Sequence, residues 1–234
     1  MKLTKIKKLI NFLYHRYSPR GAKVCFSQSG EDLIISHGLL SLGILHPTYI
    51  DIGGHHPIFA NNTYLFYTNG EHGVVVEPIK KLCSLIEKKR PRDTCLEVGV
   101  GKEDGTASFY EFPQNTRSTF SEEQAKQWEK ASGQKATVST IPVLSLDTII
   151  NHYCNNECPD IVSIDAEGYD IKILSGFSFS CRPKFFCVET LNITPSGLPE
   201  RDSVIYELFG KNNYFPYAET PSNTIFTDSM VWLK

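Results

Sequence analysis

The sequence predicts one α/β domain in which a mostly parallel sheet carries helices on both faces, a Rossmann-like fold. Short apolar segments typical of buried strands, at 49–52, 74–76, 161–164 and 185–188, alternate with segments of helical spacing such as 79–90. This alternation is typical of doubly wound sheets. The length of 234 residues suits a single such domain with some additions.

The turn after the first predicted strand has the residues of a ligand-binding site. The strand contains Asp51 and leads into Gly53 and Gly54, where a main chain without Cβ atoms can approach a ligand closely. The next strand leads into Glu77 and Pro78, and a carboxylate at that strand tip can accept hydrogen bonds from two ribose hydroxyls. These five residues predict a nucleoside site.

The glycine pattern indicates which nucleoside derivative binds. A dinucleotide site favours G-x-G-x-x-G, whereas the run Gly53-Gly54-His55-His56-Pro57 lacks the third glycine. The acid that precedes this run would repel a diphosphate. S-adenosylmethionine (SAM) has a ribose, a sulfonium and an ammonium but no phosphate, so it suits the site. The same pattern disfavours an NAD-dependent enzyme.

Two more acids follow predicted strands further along the chain. Asp165 follows the strand at 161–164, and Glu189 follows the strand at 185–188. Ligands of open α/β sheets bind outside the carboxyl ends of the strands. We therefore expect the side chains of Asp51, Glu77, Asp165 and Glu189 to point into one cleft. Gln28, which precedes the first strand, is expected to close over the cofactor or the substrate.

Two chemistries for the acidic half of this cleft remain open at the level of sequence. Asp165, Glu189 and His56 could bind a divalent metal (Mn, Fe or Mg) that lowers the pKa of a substrate hydroxyl. Alternatively, His55, His56 or Asp165 could act directly as a general base. Both histidines leave the first strand toward the same rim of the sheet.

Other segments are predicted to be regular as well. A strand at 94–98 should end at Gly99-Val100-Gly101. A polar helix at 121–131 is expected to form a surface insertion or lid. The remaining predicted elements are strands at 107–112, 137–143 and 223–226 and helices at 146–152, 169–174 and about 202–209.

Composition limits the function classes and the partners. The net charge of −2 does not indicate a nucleic-acid partner. The sequence contains no apolar stretch of the ~20 residues that a membrane span requires, and the short apolar run near its start is not expected to be a signal peptide. Residues 1–25 form a basic extension, predicted as an amphipathic helix docked on the domain at 26–234. Weak contact with a membrane surface is the alternative, and an exposed helix of this kind is compatible with a homodimer.

The seven cysteines are an odd number and are scattered along the chain. Several lie in apolar segments, which predicts reduced, buried thiols and a cytoplasmic location. Cys154 and Cys158 have the spacing of half a zinc site, but no second pair matches it.

The ordered set of motifs resembles the FkbM family of SAM-dependent methyltransferases from about Phe26 to about Phe226. Each motif is weak alone, and their order makes the set specific. The motifs are Phe26-Ser27-Gln28-Ser29-Gly30-Glu31-Asp32, Asp51-Ile52-Gly53-Gly54-His55-His56-Pro57, Val76-Glu77-Pro78 and Ile164-Asp165-Ala166-Glu167-Gly168-Tyr169-Asp170.

The resemblance implies a class I methyltransferase fold and transfer of a methyl group to an oxygen. It implies a sugar acceptor, expected here to be a nucleotide sugar used for bacterial surface polysaccharide (capsule or lipopolysaccharide). Val100 and Gly101 match the family's region near adenine. Asp165 and Glu189 resemble metal-binding acids of related sugar O-methyltransferases, although Thr190 stands where those relatives often have a second acid. The alternatives are a methyltransferase for another small molecule and a non-catalytic SAM-binding scaffold.

Overall fold

The computed structural model describes residues 23–193 and 197–232, so the predicted N-terminal helix lies outside the described residues. The described part of the chain contains twelve strands. In chain order they are β1 (Tyr49–Ile52), β2 (Gly73–Val76), β3 (Thr94–Leu96), β4 (Gly99–Gly101), β5 (Gly105–Glu111), β6 (Thr137–Ser145), β7 (Ile161–Ile164), β8 (Phe185–Glu189), β9 (Leu191–Ile193), β10 (Pro199–Arg201), β11 (Tyr214–Glu219) and β12 (Asn223–Asp228).

Seven α-helices connect these strands within the same residues. They are α1 (Glu31–Ser41), α2 (Tyr64–Thr68), α3 (Lys80–Lys89), α4 (Glu122–Ser132), α5 (Leu146–Tyr153), α6 (Asp170–Gly176) and α7 (Ser203–Lys211). Side-chain caps start several of them, as where Asp202 Oδ1 accepts hydrogen bonds from the N–H groups of Val204 and Ile205. No helix of the described residues has the length and apolar character needed to cross a bilayer.

The central sheet has seven strands in the order β11-β12-β8-β7-β1-β2-β3. The pairs from β3 to β8 are parallel, and β12 is antiparallel to both of its neighbours. The chain leaves β1 toward β2 and later returns to β7 on the other side of β1. The strand order therefore reverses at β1, which is where open α/β sheets place their ligands. The predicted α/β architecture is confirmed.

Alternation along the strands places a hydrophobic core on each face of this sheet. On one face Ile50 and Val162 pack with residues of α5, α6 and α7, such as Leu146 and Phe209. On the other face Tyr49 packs with residues of α1 and α2. Because neighbouring residues of a strand point to opposite faces, this assignment also fixes where each polar strand residue points.

The predicted strand at 94–98 is split in the structure. β3 ends at Leu96, and β4 leaves the central sheet to pair with β6 in a separate three-stranded sheet of order β4-β6-β5. The hairpin of β9 and β10 and the strand β11 were not predicted. The segment from β4 to β6, with α4 between β5 and β6, forms a second layer beside the carboxyl ends of β1 and β2.

The expectation of seven reduced cysteines is wrong for one pair. Cys158 and Cys181 form a disulfide, with their Cα atoms 5.5 Å apart. The bond connects the segment after α5 to the segment before β8, two regions that sequence spacing does not pair. Cys83 and Cys187 are free and buried as expected, whereas Cys25 is free and exposed.

Candidate functional site

Four strand ends lie side by side at the carboxyl edge of the central sheet. Ile52 pairs with Val76 on one side and with Ile164 on the other, and Ile164 pairs with Val188. Ile52, Val76, Ile164 and Val188 thus form a row across the sheet, and the residue after each of them forms a second row. The second row consists of Gly53, Glu77, Asp165 and Glu189, and all of them line one cavity of about 500 Å³.

Most of the residues predicted to bind or react lie on the wall of this cavity. Besides the row of four, the wall includes Gln28, His55, Pro78 and Val100. Val100 belongs to the three-stranded sheet, so the cavity lies between that sheet and the edge of the central one. The structure therefore brings these predicted residues together from elements far apart in the chain.

Gly53 is required for the close approach of two strand ends. Its φ of +79° is in the left-handed region, and a Cβ atom at this position would overlap the main-chain oxygen of Asp165. The Gly53 N–H donates to the Val76 carbonyl oxygen at 3.0 Å, and the Asp165 N–H donates to the Ile52 carbonyl oxygen at 3.0 Å. The turn is therefore closed on both sides by main-chain hydrogen bonds.

Glu77 is oriented by the main chain on both carboxylate oxygens. Oε1 accepts a hydrogen bond from the Ile79 N–H at 2.8 Å, and Oε2 accepts one from the His55 N–H at 2.9 Å. Each oxygen keeps a second lone pair for a ligand hydroxyl. Burial raises the pKa of Glu77 to about 7, against the opposing effect of these two hydrogen bonds.

Asp51 does not line the cavity, which corrects the expectation of four acids in one cleft. Alternation turns its side chain away from the face that carries Ile50 and Ile52. There its Oδ2 accepts hydrogen bonds from Asn61 Nδ2 at 2.9 Å and Thr63 Oγ1 at 2.8 Å. Asp51 therefore stabilises the segment 53–63 by hydrogen bonds on the side of the sheet away from Ile50 and Ile52.

A fully buried arginine completes the support under this turn. The Arg90 side chain is 0% exposed and donates to Asn61 Oδ1 at 3.0 Å and to Thr63 Oγ1 at 2.9 Å. It pairs with Asp93 at 2.6 Å and lies 3.9 Å from Asp51 Oδ2. Its two acidic neighbours compensate the buried charge.

Gly54 and Gly101, predicted to bind the cofactor, serve packing instead. A Cβ atom at Gly54 would overlap the Val75 side chain, and one at Gly101 would lie 2.8 Å from Val143 Cγ1. Neither residue lines the cavity. Both glycines are needed because the backbone approaches a neighbouring strand, which a sequence pattern does not distinguish from an approach to a ligand.

The two histidines have different environments. His55 lines the cavity, and its pKa is lowered by burial and by the neighbouring His56. His56 is outside the lining; its Nδ1 accepts hydrogen bonds from the Ile58 and Phe59 N–H groups, and its ring stacks on Phe59 at 4.8 Å. His56 is therefore held by its own turn and does not join the acids as predicted.

The residues present do not fit the predicted metal site. His56 Nδ1 is occupied by two main-chain donors. Across residues 23–193 and 197–232, no group of three or more His, Cys, Asp and Glu side chains is placed to hold a metal ion. Asp165 and Glu189 do share the cavity, where their carboxyl groups are available to substrate hydroxyls and to protons.

The acids of the cavity have pKa values near neutrality. Protein atoms around its carboxyl group displace water and raise the pKa of Asp165 to about 6, although the residue keeps solvent exposure at the cavity; the charge of Asp51 adds to the rise. Burial also raises the pKa of Glu189 to about 8, with Asp165 the largest of the charges that contribute. A carboxyl group with a pKa of about 6 is largely ionised at neutral pH and can accept a proton, as a general base must.

Two further acids of the cluster were missed by the sequence argument. Glu167 lines the cavity, and burial raises its pKa to about 8. Asp170 is buried beside it, with a pKa raised by burial to about 7, and its Oδ1 accepts a hydrogen bond from the Ala166 N–H at 3.2 Å. Three acids within the six residues from Asp165 to Asp170 are a sequence pattern that could have indicated this acidic cluster.

The main-chain conformation of Glu167 is unusual for a residue other than glycine. Its φ of +48° lies in the left-handed region. Thr119 Oγ1 donates to the Glu167 carbonyl oxygen at 2.9 Å, so the segment between β5 and α4 holds this loop. Strained positions of this kind cluster at functional sites, and here the strain accompanies a side chain on the cavity wall.

Comparison with known protein families identifies this arrangement. A family model described as the methyltransferase FkbM domain matches residues 51–219, well over half of the chain. The chain belongs to the FkbM methyltransferase family. The matched span begins at Asp51 and includes Gly53, Glu77, Asp165 and Glu189, so the whole row of strand ends lies within the FkbM domain. No curated protein matches the chain significantly.

Solved structures similar to this FkbM family member include methyltransferases of low sequence identity. A TehB-like SAM-dependent methyltransferase from Corynebacterium glutamicum is 8% identical, with 96% of this chain and 99% of that chain covered at a TM-score of 0.41. An O-methyltransferase from Bacillus cereus in complex with S-adenosylhomocysteine is 12% identical, with 97% of this chain and 90% of that chain covered at a TM-score of 0.39. Magnesium protoporphyrin IX methyltransferase from Synechocystis is 9% identical, with 94% of this chain and 92% of that chain covered at a TM-score of 0.42.

Proposed function

We propose that the protein is a SAM-dependent O-methyltransferase whose acceptor is a sugar hydroxyl, carried by a nucleotide sugar for surface polysaccharide synthesis. The observation that carries this proposal is the row of Gly53, Glu77, Asp165 and Glu189 in one cavity. Membership of the FkbM family supports methyl transfer. The sugar acceptor follows from the family resemblance and from the carboxyl groups available to bind hydroxyls.

The order of the strands divides the cavity into a donor half and an acceptor half. Glu77 follows β2 and Glu189 is the last residue of β8, with β1 and β7 between these two strands. Strands are spaced about 4.8 Å apart, so the two acids belong to strand ends roughly 14 Å apart. In the proposed complex Glu77 would hold the ribose, Gly53 would leave room for the donor, and Asp165 and Glu189 would hold the acceptor that receives the methyl group.

The reaction is an in-line displacement at the methyl carbon. A carbon–oxygen bond forms as the carbon–sulfur bond breaks, the sulfur leaves as neutral S-adenosylhomocysteine, and the hydroxyl proton moves to a carboxylate. Alignment of the hydroxyl with the methyl–sulfur bond supplies much of the rate. Asp165 is the preferred base because its pKa of about 6 leaves it ionised at pH 7, whereas Glu189, at about 8, is mostly protonated in the free protein.

The charges of the cofactor and the hydroxyls of the acceptor are compatible with these different roles of the acids. The sulfonium and the ammonium of SAM are positive, so their arrival beside the acids favours ionised carboxylates. The hydroxyls of a sugar can in turn donate to those carboxylates. Glu189 and Glu167 are therefore assigned to acceptor binding, and His55, whose pKa is lowered, remains a neutral hydrogen-bonding group at the donor end.

Methyl transfer by the purified chain to a panel of nucleotide sugars tests the proposal. Reactions contain SAM with either Mn²⁺ or EDTA, and mass spectrometry detects a gain of one methyl group. We expect Asp165→Asn to abolish transfer while SAM binding persists, and the exposed control Glu207→Gln to retain it. Turnover retained in Asp165→Asn and Glu189→Gln would contradict the assignment of these acids. Tight SAM binding without transfer to any sugar would favour the scaffold alternative or a polymeric acceptor.

A further inference from the structure

A second cavity adjoins the first at the junction with the three-stranded sheet. Its volume is about 180 Å³, and Arg117 lines both cavities. The wall of the smaller one also includes Trp128, Gln114, Gln134 and Ser132. An aromatic ring with amide and hydroxyl groups provides an apolar surface and hydrogen-bonding partners for one additional chemical unit of a ligand.

The Arg117 side chain is held in place without using its hydrogen-bond donors. Its guanidinium carbon lies 3.7 Å from the centre of the Trp128 ring, a stacked cation–π contact. Within the part of the chain that the structure describes, the side chain has neither an ion pair nor a hydrogen bond. A guanidinium has five N–H donors, so Arg117 offers an oriented cation to whatever occupies the junction.

The charge of Arg117 contrasts with the rest of the larger cavity. Glu167 and Glu189 line the same cavity, and the charge of Arg117 lowers the pKa of both against the effect of burial. Apart from this cation, those acids would repel an anionic acceptor. A negative group that enters this cavity is therefore directed to Arg117 and away from Asp165.

We propose that Arg117 and Trp128 form a subsite for an anionic group, phosphate or carboxylate, that the acceptor carries beyond the methylated hydroxyl. The inference rests on the proposed function and specifies which residues bind the anionic group of its acceptor. The planar fork of arginine matches both groups bidentately. The unit that follows the anion occupies the smaller cavity against Trp128, where Gln114 and Gln134 are available to its hydroxyls.

Calorimetric titration of the full chain with inorganic pyrophosphate, glucuronate and neutral glucose tests the subsite without requiring turnover. We expect at least one anion to bind the wild type, and Arg117→Gln to weaken that binding about tenfold, because hydrogen bonds to charged groups are lost. Lys126→Gln removes the same charge from an exposed position of α4 and should bind like the wild type. Arg117→Lys keeps the charge but not the planar fork, so its affinity for the anion should lie between those of the wild type and Arg117→Gln.

The two anions distinguish the sources of the charge. Binding of pyrophosphate alone assigns a phosphate, and binding of glucuronate alone assigns a carboxylate. Equal binding of each anion to wild type and Arg117→Gln overturns the subsite, as does wild-type binding of neither anion at millimolar concentration. The proposed function fails separately, if SAM and S-adenosylhomocysteine do not bind the wild type; Arg117→Gln should leave their affinities unchanged.

Discussion

The main-chain N–H of His55 donates a hydrogen bond of 2.9 Å to Glu77 Oε2, which ties the turn after β1 to the acid that follows β2. The same carboxylate accepts from the Ile79 N–H at 2.8 Å. A ligand therefore meets a carboxylate that is already oriented, so less conformational freedom is lost on binding.

Glu77→Gln should weaken SAM binding about tenfold or more, because an amide can no longer accept hydrogen bonds at both positions and must turn one donor toward a main-chain N–H. Calorimetry with SAM measures the change. Glu87→Gln is the matched control, since Glu87 is exposed on α3 and should bind SAM like the wild type. Unchanged affinity in Glu77→Gln would count against the ribose assignment.

The pH dependence of stability should reflect the raised pKa values of the cavity acids. In the folded, ligand-free protein the pKa of Glu189 is about 8, against about 4.3 in an unfolded chain. The folded state therefore binds the proton more tightly, and this contribution to stability is full below about pH 4 and is lost as the pH rises to about 8.

The Glu189→Gln variant has no carboxyl group to deprotonate at this position, so it should not lose this stability as the pH rises. Its unfolding temperature should therefore fall less than that of the wild type between pH 5.5 and pH 8.5. Thermal unfolding across this range measures both slopes. Glu207→Gln, exposed on α7, should keep the wild-type slope. Parallel curves for wild type and Glu189→Gln would show that Glu189 titrates at its ordinary pKa.

Gly53→Ala should destabilise the fold and abolish SAM binding. A left-handed backbone costs an alanine roughly 1–2 kcal/mol, and the new Cβ would also overlap the Asp165 oxygen. Gly133 is a matched control because its φ is +68° with no atom within 4 Å of the corresponding Cβ. Denaturant unfolding should show the larger loss in Gly53→Ala; equal losses would mean that the close approach to Asp165 contributes nothing.

Arg90→Met should lower the free energy of unfolding by about 3–5 kcal/mol, because it leaves buried carboxylates without their cation. The affected carboxylates are those of Asp93 and Asp51. Arg92→Met, a few residues away at an exposed position, should cost much less. Urea denaturation compares the two variants, and a similar small loss in both would contradict the role given to Arg90.

Cys181→Ser should lower the stability of the oxidised protein by about 2–4 kcal/mol, since the 23-residue separation of the disulfide would no longer be restricted in the unfolded chain. Cys25→Ser, at a free and exposed cysteine, is the control. Dithiothreitol should remove the difference between wild type and Cys181→Ser. A wild type insensitive to the reductant would contradict the disulfide.

The four neighbouring parallel strands β2, β1, β7 and β8 were predictable to within one residue. β1 and β7 have the predicted bounds, because each is a short, mostly apolar run that a glycine or an acid follows; β2 begins one residue earlier and β8 ends one residue later than predicted. Since parallel strands present their carboxyl ends at one edge, the meeting of Glu77, Asp165 and Glu189 followed from the sequence alone.

Asp51 shows where the same argument failed. Its position within β1, not after it, turns its side chain to the opposite face, and counting alternate residues from Ile52 would have revealed this. Gly54 and Gly101 failed for another reason: a glycine that accommodates a neighbouring strand has the same local sequence pattern as one that accommodates a ligand.

Contacts between distant segments could not be predicted from one sequence. Nothing in the residues around Cys158 points to Cys181 as its partner, because the pairing depends on how the chain returns after β7. Arg117 looks like one more surface arginine until β5 and α4 place it beside Trp128. The departure of β4 into a second sheet depends likewise on the remote strand β6.

The continuous segment from Gly99 to Ser145 builds the second sheet and contributes both Arg117 and Trp128, whereas Gly53 and Glu77 come from an earlier stretch of the chain. The proposed anion subsite is thus encoded in one continuous block of sequence, separate from Gly53 and Glu77. In evolution, or in an engineered chimaera, that block could be exchanged for another of the same span, changing the preference for an anionic group while Gly53 and Glu77 are kept.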